Sequence, residues 1–232
     1  MRIVVLLFAS LPDIAGGRRF ELEVPDGIVL ADLRQSLAER WPAFARVPYV
    51  FAVNRSYAND ETAISDGDEV ACVPAISGGS GAPGDTNVPP ERVVLSLTRD
   101  RIDARAIEEA VRSDHDGALV TFHGVTRDHH GGRAVRELSY EAYDDMAIEV
   151  GRALLEEVVR DLEVGRLHVV HRLGRVSIGE ASIVVVVAAA HRGPAFDAAR
   201  LVMDRIKREL PIFKRETYED DSHDWVGDLP QL

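Results

Sequence analysis

The chain reads as a two-domain protein of mixed α+β and α/β class. A small mixed sheet crossed by one helix is expected over residues 1–79, and a larger α/β domain over residues 91–232. Three observations predict this. Residues 1–79 carry short alternating or apolar runs with one helical stripe among them. Residues 77–90, Ser-Gly-Gly-Ser-Gly-Ala-Pro-Gly-Asp-Thr-Asn-Val-Pro-Pro, have no apolar period and the composition of a linker, placed at 80–90. Beyond it, apolar strands alternate with long amphipathic stripes, as in an α/β domain. No internal repeat links the two halves.

In order, Ile3–Phe8 is an apolar first strand rather than a signal peptide, because Pro12-Asp13 follows a short apolar run without a cleavage pattern. Arg19–Val24 alternates as a half-buried strand, and Pro25-Asp26-Gly27 turns the chain. Val29, Leu30, Leu33 and Leu37 fall on one helical face that stops near Trp41-Pro42. Val50–Asn54 is a strand, Ser65–Glu69 a turn, and Val70–Ile76 the last strand, running into Gly78-Gly79. In the second half, Ile102–Ser113 is a helix and Gly117–Phe122 a strand that leads through Gly124-Val125-Thr126-Arg127. Asp128–Gly132 is a polar glycine loop, and Val135–Ala142 a strand. Met146, Val150, Leu154, Val158 and Leu162 make a helical stripe. Leu167–His171 and Ser182–Ala190 are strands, the second apolar on both faces and therefore central. A helix over Pro194–Leu210 is expected to bury Phe196, Ala199, Val202, Met203, Ile206 and Leu210. Pro211 ends it, and Ile212-Phe213-Lys214 begins a new strand.

The net charge of −12 argues against nonspecific nucleic-acid binding. The longest apolar run, Ile183–Ala190, is far short of the roughly 20 residues that cross a bilayer. Hence neither nucleic acid nor membrane is expected as a partner. A single cysteine, Cys72, excludes an intrachain disulfide, and a reducing cytoplasm is the expected compartment. His129-His130 lacks a nearby cysteine or spaced carboxylate, so no metal site is expected there.

Of the 27 basic residues only Lys207 and Lys214 are lysines. One reading is a chain that simply favours arginine. The other is that these two positions require an amine, a compact charge that can also act in proton transfer. They flank Pro211, where a helix–break–strand corner can aim both at one pocket. Arg127, His191 and Arg192 follow strands, where α/β sheets place ligand sites. Five cations converging in an acidic chain point to an anionic ligand. Gly78-Gly79, lacking Cβ atoms, can thread a narrow channel, yet it is bonded to Ser80, so linker and cleavage site both remain open.

A small mixed sheet with one helix, ending in Gly-Gly, is the β-grasp layout of ubiquitin-like proteins. "DGDEV" and "VPAISGG" resemble the small, sulfur-carrier subunit of molybdopterin synthase. "FHGVTRDHHGGRAVRELSYEAYDDMA", "HRLGRVSIGEASIVVVVAAAHRGPAFDA" and "IKRELPIFKRETYEDDSHDWV" resemble its large, catalytic subunit, which implies an α/β-hammerhead-type second domain. The resemblance thus implies a fusion of the two subunits. It implies that Gly79, once released, is adenylated by a separate ATP-dependent enzyme and charged as a thiocarboxylate. It implies sulfur delivery to cyclic pyranopterin monophosphate to form the dithiolene of molybdopterin. It carries Val125, Thr126, Arg127, His191, Arg192, Lys207, Lys214, Arg215 and Glu216 over as the substrate pocket, with Lys207 and Lys214 catalytic. No cofactor resident in the chain is implied, and a homodimer through the second domain is. Thr126 stands where valine is usual, and Gly227-Asp228-Leu229 follows Trp225-Val226 where the family can carry a basic residue. The alternative is an uncleaved ubiquitin-like module that tethers or regulates, with a separate sulfur carrier.

Overall fold

The computed structural model describes residues 1–74 and 92–226, which form two compact units. Gly78, Gly79, the linker and residues 227–232 lie outside the described residues.

The first unit begins with β1 (Arg2–Leu7), a short helix α1 (Leu11–Ala15) and β2 (Arg19–Glu23). Helix α2 (Leu30–Arg40) follows, then a 3-10 turn at Pro42–Arg46, β3 (Tyr49–Val53), β4 (Ser56–Ala58) and β5 (Glu69–Pro74). The sheet order is β2-β1-β5-β3-β4. β5 lies parallel to β1 and antiparallel to β3, which makes the sheet mixed as expected. Leu30, Leu33 and Leu37 of α2 are buried against Ile3, Val5, Phe51 and Val70. Cys72 sits in this core, where burial pushes its thiol pKa up. Sequence periodicity did not find α1 or β4, because five and three residues are too few to carry a period.

The second unit starts with β6 (Val93–Thr98), α3 (Ala104–Val111) and β7 (Ala118–Val125). A hairpin of β8 (His129–His130) and β9 (Arg133–Ala142) leads to α4 (Asp144–Asp161). β10 (Arg166–Arg172), β11 (Gly174–Ser177) and β12 (Ala181–Ala189) precede α5 (Arg192–Glu209), and β13 (Ile212–Tyr218) and β14 (His223–Val226) close the unit. One sheet runs β6-β10-β12-β7; a second runs β11-β9-β13-β14, with β8 on β9. β12 is interior and buried on both faces. Ile183, Val185, Val187 and Ala189 pack under α4 and α5, while Val184, Val186 and Ala188 pack under α3. That period of two explains a strand that reads as continuously apolar.

Three expectations need correction. Helix α3 is shorter than Ile102–Ser113, because Asp103 caps it by accepting from the Ala106 N–H at 3.1 Å. Asp128–Gly132 is no open loop: Gly131 and Gly132, at φ 55° and 80°, make the two-residue turn of the β8–β9 hairpin. Phe196 is 62% exposed and Met203 half-buried, whereas Ala199, Val202, Ile206 and Leu210 are buried as expected, with Ala195 and Ala198 beside them. No helix among the described residues is long and apolar enough to cross a membrane.

Candidate active site

Leu210 and Pro211 end α5, and Tyr143 N–H donates to the Pro211 carbonyl at 3.1 Å, tying the break to the start of α4. β13 then pairs with β9 on one side and β14 on the other. Its alternation puts Lys214, Glu216 and Tyr218 on one face and Arg215 on the other.

Glu216 is 3% exposed and organises that first face. Lys214 Nζ lies 3.0 Å from its Oε1. His130 Nδ1 lies 2.7 Å from its Oε2, and the Tyr218 hydroxyl donates to the same oxygen at 3.2 Å. Burial alone would raise this carboxyl's pKa. The Lys214 ammonium and the His130 ring outweigh it and hold the group below the usual carboxylate range. Arg215 lies beside Trp225, its guanidinium carbon 5.7 Å from the ring centre, and its Nε is buried without a hydrogen-bond partner.

The register shows which cations share an end of the first sheet. β7 runs on to Val125, further than the sequence indicated, so Arg127 sits two residues past its end. There the Thr126 N–H donates to Glu180 O at 3.0 Å, and Gly179 N–H donates to Thr126 O at 2.9 Å. Thr126 is buried, with its Oγ1 unpaired, whereas Val125 is 49% exposed and Arg127 is exposed. β12 is antiparallel to β7: Ala181 faces Val125, and Ala189 faces Ala118. His191 and Arg192, which follow Ala189, therefore lie at the opposite end from Arg127, about 26 Å of strand away. Both are exposed, His191 as the extended cap residue of α5 and Arg192 as its first residue. The five cations do not converge within one chain, because antiparallel pairing sends the C-terminal ends of the neighbouring strands β7 and β12 to opposite ends of the sheet.

Helix α5 starts three residues after β12 ends and packs on β12 and β7, so it folds back along them. Its 18 residues span about 27 Å, which returns Lys207 in its last turn to the Arg127 end. Lys214 is tied to the same end. It pairs in register with Tyr140, whose hydroxyl donates to Ser182 Oγ at 3.3 Å, and Ser182 Oγ donates to Gly124 O at 3.1 Å. Arg127, Lys207 and Lys214 thus share one end of the domain. Among the described residues no hydrogen bond or ion pair engages the side chains of Arg127, His191, Arg192 or Lys207, and all four are exposed. Partly buried pairing elsewhere is the contrast: Arg172 holds Glu180 at 2.7 Å, and Arg205 holds Glu157 and Glu209 at 2.7 Å each.

Sequence reasoning missed His130, Tyr140, Ser182 and Tyr218, the groups around Lys214 and Glu216. The Gly131-Gly132 turn was the available signal, since a two-residue hairpin folds His130 back beside β9. Among the described residues no group of three His, Cys, Asp or Glu side chains could hold a metal.

Residues 97–209 match the family model of the MoaE protein, and residues 5–79 match that of the ThiS family. The molybdopterin synthase catalytic subunit of Oryza sativa subsp. indica is 45% identical over 127 residues, 55% of this chain and 66% of that protein, so the chain spans slightly under two thirds of this relative. Molybdopterin synthase catalytic subunit 1 of Mycobacterium tuberculosis is 37% identical over 134 residues, 58% of this chain and 90% of that protein. Among solved structures, molybdopterin synthase from Staphylococcus aureus superposes with a TM-score of 0.54 at 29% identity, covering 56% of this chain and 95% of that one. The MoaE protein of Burkholderia ambifaria gives 0.50 at 31% identity, covering 58% and 88%. The chain belongs to the molybdopterin synthase catalytic-subunit family, and it carries a ThiS-family domain ahead of that subunit in the same polypeptide.

Proposed function

We propose that this chain is a molybdopterin synthase that supplies its own sulfur carrier. Residues 1–79, separated from the catalytic domain 91–232 by the linker 80–90, would be released at the Gly79–Ser80 bond. Gly79 would then be adenylated by a separate ATP-dependent enzyme and charged as a thiocarboxylate. Two such sulfurs would convert cyclic pyranopterin monophosphate to the dithiolene of molybdopterin. Membership of the family supports a place in molybdenum cofactor biosynthesis. The observation that carries the reading to particular residues is the shared position of Arg127, Lys207 and Lys214 at one end of the domain.

The physical need is charge neutralisation. A phosphate and a thiocarboxylate about 4 Å apart repel by roughly 4 kcal/mol at an effective dielectric near 20. Cations at the meeting point would offset that repulsion. Arg127 is suited to clamp the phosphate through two hydrogen bonds. Lys207 would lie nearest the Gly79 carbonyl, stabilising the tetrahedral oxyanion or forming a transient adduct. Lys214 would act as an acid/base or electrostatic partner, held by Glu216. Val125 and Thr126 would wall the pocket, and Arg215 would support β13 from its other face. His191 and Arg192 lie too far from Arg127 to touch the same small ligand within one chain. A homodimer through this domain would let those of one copy complete the pocket of the other.

Lys207→Ala and Lys214→Ala are expected to lose most molybdopterin formation, Lys207→Ala with the wild-type thermal transition and Lys214→Ala with a lowered one, because it leaves the buried Glu216 carboxylate without its ion pair. Near-wild-type turnover in both variants sinks the assignment. A second reading rests on the Gly79–Ser80 peptide bond, which blocks the donor carboxyl as synthesised. In it the first domain stays attached as an interaction module, and a separate carrier donates sulfur.

A further inference from the structure

We propose that His130 is a positioning residue for Lys214: by donating from Nδ1 to one oxygen of Glu216, it fixes the buried carboxylate so that the other oxygen holds the amine. This rests on the reading of Lys214 as a group that handles the reaction. The two carboxylate oxygens have divided partners. Oε1 faces Lys214 at 3.0 Å, and Oε2 takes His130 at 2.7 Å and Tyr218 at 3.2 Å. A carboxylate only accepts, so Nδ1 of His130 carries the hydrogen. At 3% exposure Glu216 has little water to replace a lost donor. Lysine has four rotatable bonds, so the place of the amine is set by what anchors it.

The other groups facing this pair do not substitute for His130. Tyr218 lies on the same strand as Glu216 and cannot tie it to another segment. Tyr140 on β9 directs its hydroxyl to Ser182. Asp224, opposite Glu216 on β14, is held by Arg133 at 2.8 Å, and Arg133 also covers the Tyr218 ring. Among the described residues, His130 is the group that hydrogen-bonds Glu216 from outside β13, carried there by the β8–β9 hairpin that the Gly131-Gly132 turn sets. The neighbouring His129 turns outward to Asp128 at 2.6 Å, which makes it a control one residue away.

The test uses the full chain as wild type, His130→Ala, His130→Asn, His130→Gln, His129→Ala and Lys214→Ala. Each receives cyclic pyranopterin monophosphate and a thiocarboxylated carrier supplied in trans. A side-chain amide of asparagine overlies Nδ1, whereas that of glutamine overlies Nε2, so only asparagine keeps the donor. His130→Ala and His130→Gln are expected to lower kcat about tenfold with KM within about twofold, and His130→Asn to recover most of the loss. His129→Ala is expected to stay near wild type. Acylation of lysines by a water-soluble reagent, read by mass spectrometry on variants that keep the wild-type thermal transition, reports the freedom of the Lys214 amine apart from any folding defect. With only two lysines in the chain, Lys214 is expected to react about threefold faster in His130→Ala while Lys207 keeps its rate. Unchanged kcat and unchanged Lys214 labelling in His130→Ala, with Lys214→Ala inactive, overturn this inference alone. Equal loss in the asparagine and glutamine variants also overturns it, and that comparison stands if His130→Ala does not fold. An active Lys214→Ala overturns the reading of Lys214 itself, and this inference with it.

Discussion

Replacing His171 with leucine should make the second domain less sensitive to acid. His171 lies on β10 between Leu97 of β6 and Ile183 of β12, edge-on to Tyr140 with ring centres 5.0 Å apart. Its Nδ1 lies 2.9 Å from the Arg172 carbonyl, which makes that nitrogen the donor in a neutral ring. Burial lowers its pKa from 6.5 to about 4, the Arg172 carbonyl offsetting part of the cost. The sign follows from linkage. Above pH 6.5 the ring is neutral in both states and adds no pH dependence. Below it the unfolded chain takes a proton that the folded one refuses, so stability is lost as pH falls from 6.5 towards 4. At about 1.4 kcal/mol per pH unit the loss approaches roughly 3 kcal/mol. His171→Leu removes that loss and gives up one hydrogen bond, about 1 kcal/mol. The variant should therefore be the less stable protein at pH 7 and the more stable one at pH 4.5, by about 2 kcal/mol. Urea unfolding followed by hydrogen exchange of the β10 and β12 amides reads this domain apart from the first. Other groups titrate in both proteins and cancel in the difference. Parallel pH dependences of wild type and variant would refute the argument, since they would mean His171 titrates alike folded and unfolded.

Glu216→Gln should cost about 2–3 kcal/mol near pH 7, because it leaves the Lys214 ammonium beside a neutral amide; partial exposure of Lys214 and His130 keeps the figure below that of a fully buried pair. The folded carboxyl has its pKa lowered, so the difference in denaturation midpoint is present above the ordinary carboxylate range and shrinks as pH falls through the lower folded value. Gly132→Val places a β-branched residue at φ 80° and should cost about 1–2 kcal/mol, with a drop in turnover that follows displacement of His130. Phe196→Ser should change the free energy of unfolding by less than about 0.5 kcal/mol, whereas Val202→Ala, on the buried face of the same helix, should cost about 2 kcal/mol.

Much of this architecture is legible in the sequence where periodicity is long. The stripe Met146–Leu162 and the two-faced apolar run of β12 locate α4 and the centre of the first sheet. The Phe196 error shows the limit. A helical wheel gives a stripe but not its edges, and small alanines on α5 let the helix approach the sheet closely while the larger ring falls outside. The lysine corner is legible because two amines stand out among 25 arginines. The separation of His191-Arg192 from Arg127 is not legible. It follows from antiparallel pairing of β7 with β12, a non-local choice that neither strand encodes by itself. His130 was hidden for a similar reason, since its partner Glu216 is 86 residues away.

If the first domain is to feed the second, the Gly79 carboxyl must be freed and charged. Intact-mass spectrometry of the chain, purified from cells that make molybdopterin, reads whether it is. The expected result is a fragment ending at Gly79, heavier than the free acid by the difference between sulfur and oxygen, beside a partner beginning at Ser80. A single uncut chain in a preparation that still converts cyclic pyranopterin monophosphate would contradict self-supply, and would leave the first domain as a tethered module.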